Sequence, residues 1–217
     1  MTRLDLFLLG SPRITLDGQP VTAFNTRKDC ALLIYLAVTG VGHSRETLAG
    51  LLWSDTGEVQ ARRNLRHALT HLRKAIGSHW FETEQSVALS RDHPWRVDVD
   101  DLHALVQQVT TRQPPLAERD VAQGLDALDP LLALYRDEFL QGFHVPNAGQ
   151  FEEWVMGQRE KLHLLALRGL TSLAEGCLAG NAYEEGLRAT RRLLELEPWS
   201  EQGHRRQMQL LVHAGRR

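Results

Sequence analysis

Seven side chains between residues 62 and 74 can do chemistry on a polyanion. Placed on a helix at 100° per residue, Arg62, Arg73, Arg66, Thr70, Arg63, Lys74 and His67 follow one another around one arc. The opposite face carries Ala61, Leu65, Ala68, Leu69, Leu72 and Ile76 as a narrow apolar stripe. No acidic residue occurs between Val59 and Phe81. A solvated helix normally mixes signs, because opposite charges at i,i+4 stabilise it. A helix that packs one face and offers only donors and positive charge on the other suits phosphates, with Arg, His and Thr in reach of base edges. The plainer alternative is a helix that is merely basic toward solvent.

Other reactive side chains form no comparable constellation. His67 and His71 stand at the i,i+4 spacing that can clamp a metal, but no third ligand accompanies them, so no metal and no cofactor are expected. Glu152-Glu153 and Glu184-Glu185 read as solvated helix faces rather than an acid/base pair. There is no P-loop, GxGxxG or HExxH pattern, so no catalytic residue is assigned and an enzyme is not expected. Cys30 and Cys177 are the only cysteines. They are too few for a disulfide framework, which suggests a reducing, cytoplasmic setting, and Cys30 is expected to be buried in the first helix. No apolar run approaches a membrane span and no signal-peptide pattern is present, so no membrane partner is expected.

The elements that would hold the basic helix can be read around it. Leu4–Leu9, Arg13–Leu16 and Pro20–Thr22 give three short strands, the last two joined at Asp17-Gly18, a pair suited to a type I′ turn. Thr26 with Asp29 resembles a capping box for a first helix that Gly40 ends. Arg27 and Lys28 stand in its first turn, where the dipole disfavours cations, so a use such as a phosphate contact competes with simple solvation. Ser44 caps a second helix with Leu48, Leu51 and Leu52 inward and Trp53 at the corner. The basic helix follows, over about 57–76, with Gly77 as its stop. Residues 80–84 and 86–90 suggest a hairpin and Trp95–Val97 a last strand. Sheet, three helices and hairpin, in this order, predict a winged helix-turn-helix.

The charge divides with the elements. Residues 1–97 carry 12 Lys+Arg against 9 Asp+Glu, a net +3, and residues 98–217 carry 13 against 18, a net −5, which together give the chain's −2. From Asp98 onward the periodicity is helical. Asp101–Thr111 is amphipathic, with Leu102, Leu105, Val106 and Val109 inward, and Pro114-Pro115 breaks it. Residues 118–140 give one or two helices interrupted at Asp129-Pro130. Residues 142–149 form a connector, 151–179 a long helix, 182–196 another, and 199–214 the last. Small residues Ala174 and Gly186, with Pro198 closing the unit, suggest a degenerate tetratricopeptide-like repeat, in which Thr190 occupies a position that is usually large and apolar.

Two sets of words carry a resemblance. LLWSD followed by ARRNLRHALTHLRKAIG resembles the DNA-binding core of SARP-type transcriptional activators. LYRDEFLQGF (134–143), FEEWVMGQREKL (151–162) and EEGLRATRRLLELEPWSEQGHRRQM (184–208) resemble the bacterial transcriptional activation domain, BTAD, that follows it in those proteins. The fold class expected is therefore an α+β winged helix-turn-helix over residues 1–97 followed by an all-α tetratricopeptide-like domain over 98–217. The resemblance implies a sequence-specific activator that binds double-stranded DNA at direct repeats near a promoter, pairs as a homodimer on DNA and contacts RNA polymerase. Arg63, Arg66, His67 and Thr70 are the candidates for base contacts. Arg62, Arg73 and Lys74 are the candidates for phosphate contacts, with Arg45, Arg27 and Lys28 behind them and Arg91 near the wing. The alternative is a helical-repeat interaction module whose winged helix serves as a protein-binding or autoinhibitory platform. Met208, Leu211 and Val212 form an apolar stripe on the last helix, from which a longer natural chain with a further helix, and hence a C-terminal truncation, is expected.

Overall fold

Local signals govern the start of the chain. Strand β1 (Leu4–Phe7) pairs antiparallel with β2 (Arg13–Leu16), Leu4 opposite Leu16, and Asp17 and Gly18, both at positive φ of 52° and 78°, turn β2 into β3 (Gln19–Pro20). The computed structural model describes residues 2–82, 86–111 and 127–215. Within them the chain divides into two compact units, and both are discontinuous in sequence. The first comprises residues 1–100 and 139–159, the second 101–138 and 160–217.

In the first unit the sheet order is β3-β2-β1-β6, with β6 at Trp95–Val97. Strand β3 is Gln19–Pro20, one residue earlier and shorter than the expected Pro20–Thr22. Pro20 removes a ladder donor there, although Val21 still donates to the Ile14 carbonyl at 2.9 Å. The strand beside β1 on its other side is β6 (Trp95–Val97), which runs parallel to it. The chain between β1 and β6 therefore crosses through the helices α1 (Arg27–Thr39), α2 (Arg45–Trp53) and α3 (Glu58–Ile76) and a two-stranded ribbon, β4 (Phe81–Glu82) with β5 (Ala88–Leu89). Trp80, expected to begin the first ribbon strand, closes a 3-10 turn and is fully buried.

The caps form as the sequence directs. Thr26 and Asp29 make a reciprocal capping box on α1, and Gly40 ends that helix in the left-handed conformation at φ 62°. The Ser44 side chain accepts the Thr47 N–H at α2, and Trp53 is buried at that helix's end. The residues after Gly40 pair with the ribbon: His43 and Val87 exchange backbone hydrogen bonds of 3.0 and 2.8 Å. Gly42 permits this approach, since a Cβ there would fall 2.3 Å from the Ser86 hydroxyl.

Residues 139–159 complete this unit. Leu140 donates to the Leu8 carbonyl at 2.8 Å and Gln141 to the Gly10 carbonyl at 2.9 Å, while Arg159 holds the carbonyls of Phe139 and Leu140 at 2.8 and 2.9 Å. Phe139, Leu140, Val145, Phe151 and Val155 are all buried. Trp154 stands edge-on to Tyr35 of α1, with ring centroids 4.9 Å apart, and also packs on Phe139 and Phe151. The end of β1 is held by Asp98, whose buried carboxylate accepts the N–H groups of Leu8 and Leu9 at 2.8–3.0 Å. That residue opens α4 (Asp98–Thr110), three residues before the expected start.

The second unit is helical: the continuation of α4, α5 (helical over the described residues 127–134), the later part of α6 (Gly149–Ala179), α7 (Tyr183–Leu196) and α8 (Glu201–His213). Pro130 lies inside the α5 stretch and does not interrupt it. The expected break at Pro114-Pro115 and helix over 118–126 fall outside the described residues. Leu102, Val106 and Val109 of α4 are buried as expected, and Leu105 is half-buried. Small residues mark the crossings. A Cβ on Gly186 would lie 2.7 Å from Leu210, and one on Gly169 2.9 Å from Val106. Thr190 fits where a large apolar residue was expected because it is fully buried with its hydroxyl bonded to the Gly186 carbonyl at 3.1 Å. On α8, Leu210 is buried while Met208 and Val212 are exposed.

Candidate nucleic-acid interface

Helix α3 separates its faces as its sequence demands. Ala61, Leu65, Ala68, Leu69, Leu72 and Ile76 are all buried, whereas Arg62, Arg63, Arg66, His67, Thr70 and Lys74 are exposed and Arg73 is half-buried. Burying the stripe supplies the free energy that holds the helix, roughly 1.5–3 kcal/mol for each large aliphatic side chain. Every polar position on the outer arc is thereby left to other uses.

Those positions differ in what they already hold. Among the described residues, Arg63, Arg66, His67 and Lys74 make no side-chain hydrogen bond or ion pair, and Thr70 bonds only to the carbonyl of Arg66 in its own helix. Arg62 is engaged: its guanidinium meets Glu58, one turn earlier, at 2.5 Å and Glu46 of α2 at 2.8 Å. Glu58 lies just before the acid-free stretch, so the i,i+4 pairing was visible in the sequence. The pairing with Glu46 was not.

A cleft of ≈ 380 Å³ runs between the start of α2 and the outer arc of α3. Arg45, Arg62, Arg66 and Arg73 line it with Glu46, over a floor of Leu65 and Leu69. Four guanidiniums line this one cleft, the side-chain type suited to bidentate phosphate contact.

The outlying cations have structural work within the first unit. Arg27 donates to the His144 carbonyl at 3.0 Å and Lys28 to the Asn147 carbonyl at 2.8 Å. The Lys28 ammonium also lies 5.6 Å from the Trp53 ring centre. Burial lowers the Lys28 pKa, with Asp55 opposing the shift. Both side chains thus tie α1 to the returning segment, which explains their tolerance at a helix N-terminus. Arg91 donates to the Gly40 carbonyl at the end of α1, at 3.2 Å.

The histidine pair does not converge. His71 Nδ1 faces the buried carboxylate of Asp29 at 3.2 Å, while His67 lies on the exposed arc. No group of three metal-ligating side chains occurs among the described residues. Glu152 also has a local use: it accepts the Val145 N–H at 2.8 Å and meets His144 at 3.1 Å. Cys30 is half-buried rather than buried, and burial together with the Asp29 charge pushes its thiol up to about 12. No described helix is long and apolar enough to cross a membrane.

Comparison with known proteins places this architecture. Residues 97–217 match the bacterial transcriptional activator domain, and the chain belongs to that family of transcriptional regulators. Its structure is similar to that of Mycobacterium tuberculosis EmbR in complex with a low-affinity phosphopeptide, at a TM-score of 0.59 and 18% identity over 98% of this chain and 66% of that one. At that identity the likeness is one of fold. The chain spans just under two thirds of the EmbR chain's length. No curated protein matches it.

Proposed function

We propose that the protein is a sequence-specific DNA-binding transcriptional activator. Residues 1–97, supported by 139–159, serve as a winged helix-turn-helix: α3 enters the major groove, α2 stands behind it, and the β4–β5 ribbon is the wing. The observation that carries this reading is the outer arc of α3, where Arg63, Arg66, His67 and Lys74 project from a buried stripe without side-chain partners among the described residues. Unpaired cations on one face of a rigid helix are what phosphate neutralisation and base-edge contact require.

Within this reading Arg63, Arg66, His67 and Thr70 contact bases. Lys74, Arg73, Arg62 and Arg45 contact phosphates around the cleft, and Arg91 lies near the wing. Arg27 and Lys28 act by holding 139–159. Membership of the activator-domain family supports a role for residues 98–217 in pairing protomers on direct repeats and in contacting RNA polymerase.

The test is a selection of bound sequences from a random duplex pool, followed by titrations on the selected site and on random DNA. Arg66→Ala is expected to weaken the selected site by about tenfold or more, from ~1–3 kcal/mol of base discrimination, and random DNA far less. Lys74→Ala is expected to weaken both alike and to reduce the salt slope by about one ion. Equal affinity of Arg66→Ala and wild type for the selected site refutes the assignment of α3 to the groove.

A further inference from the structure

The outer arc of α3 holds one residue that phosphate chemistry does not explain. At 100° per residue the positions of the arc run Arg62, Arg73, Arg66, Val59, Thr70, Arg63, Lys74, His67, so Val59 occupies the middle of an otherwise polar arc. Its exposure is 85%, the highest of any large hydrophobic side chain among the described residues of the first unit. It stands in the first turn of the helix, directly after Glu58. That turn favours acidic side chains through the helix dipole and accepts uncharged polar ones, and a β-branched residue has a modest helix propensity. Neither packing nor helix stability calls for valine there.

Base recognition does call for it. In helix-turn-helix proteins the N-terminal residues of the groove helix meet base edges, and an apolar side chain there finds the one apolar group of the major groove, the thymine 5-methyl. Valine suits this contact because its branched Cβ leaves one strongly preferred rotamer in a helix, so little freedom is lost on docking. We propose that Val59 is a specificity-determining residue that packs against a thymine methyl group, with Arg62 and Arg63 as its neighbours one turn on. The proposal rests on the reading of α3 as the groove helix.

The experiment uses the full chain and a site selected from a random pool. Each thymine of that site is replaced in turn by deoxyuridine, which removes only the methyl group, and affinity is measured for wild type and Val59→Ala. Alanine keeps the helix, and circular dichroism verifies folding. The expected result is one position per half-site at which uracil weakens wild type about fourfold, the worth of one buried methyl-sized group, while Val59→Ala no longer responds to that change. Selective binding with identical uracil responses in the two proteins at every thymine, or a selected site with no specified thymine, overturns this inference and leaves the groove assignment standing. Absence of selective DNA binding by wild type overturns both.

Discussion

Phe151 tests whether the returning segment is part of the unit that carries the basic helix. Its side chain is fully buried and packs on Trp154, with centroids 5.4 Å apart, and Trp154 in turn meets Tyr35 of α1. Truncation to alanine removes the ring and leaves a cavity, a change that removes about 3–5 kcal/mol of stability in well-packed cores. Against a total of ~5–15 kcal/mol for a domain, that is a large share. With a urea slope of roughly 2 kcal/mol per molar, the unfolding midpoint should fall by about 1.5–2.5 M. Hydrogen exchange read by mass spectrometry locates the loss: amides of Arg27–Thr39, 112 or more residues away in sequence, should exchange faster in Phe151→Ala. The exposed neighbour Glu153→Ala is the control and should stay within about 0.5 kcal/mol of wild type. A Phe151→Ala protein with wild-type protection across α1 refutes the coupling.

Three further outcomes are expected. Burial lowers the His43 pKa, so the unfolded chain takes up a proton that the fold resists. Stability is then fully present above the ordinary histidine value of about 6.5 and declines as pH falls below it; thermal melts from pH 8 to 5.5 should show this decline, weakened in His43→Gln. Gly186→Val forces atoms into Leu210 and Cys177 and should destabilise the second unit by about 1–3 kcal/mol in urea titrations. Glu46→Gln releases Arg62 from one of its two carboxylates; because the pair is exposed, stability should change by less than about 1 kcal/mol, while DNA affinity at low salt should rise by up to about fivefold.

What could be read from the sequence was what is decided locally. The Asp17-Gly18 turn, the Thr26–Asp29 box, the Ser44 cap and the stripe of α3 each depend on residues within a turn or two of one another. The return of 139–159 depends on partners more than a hundred positions earlier. Its words, Gly142 to Gly149 with Pro146, have the composition of a connector, and nothing local reveals that Phe139 and Leu140 bond beside Leu8 and Leu9. The same limit applied to the cations. A helix arc reports the sign of a side chain but not its partner, so Arg62, paired with Glu46 and Glu58, read the same as Arg63. For Arg27 and Lys28 the unfavourable dipole position signalled some compensating contact, and the structure supplies it in the carbonyls of His144 and Asn147.

The parallel pairing of β1 with β6, and the closure of the same unit by residues 139–159, set an order of events during synthesis. The first strand made cannot acquire its second neighbour until Trp95–Val97 leave the ribosome, and the aromatic cover over α1 is still absent then. At ~5–20 residues per second, the stretch from residue 100 to 159 takes roughly 3–12 s to appear. Over that interval the nascent chain presents the uncovered Tyr35 side of α1. This is a window in which a holdase has an apolar surface to grip, and it closes only when the long helix begins to emerge.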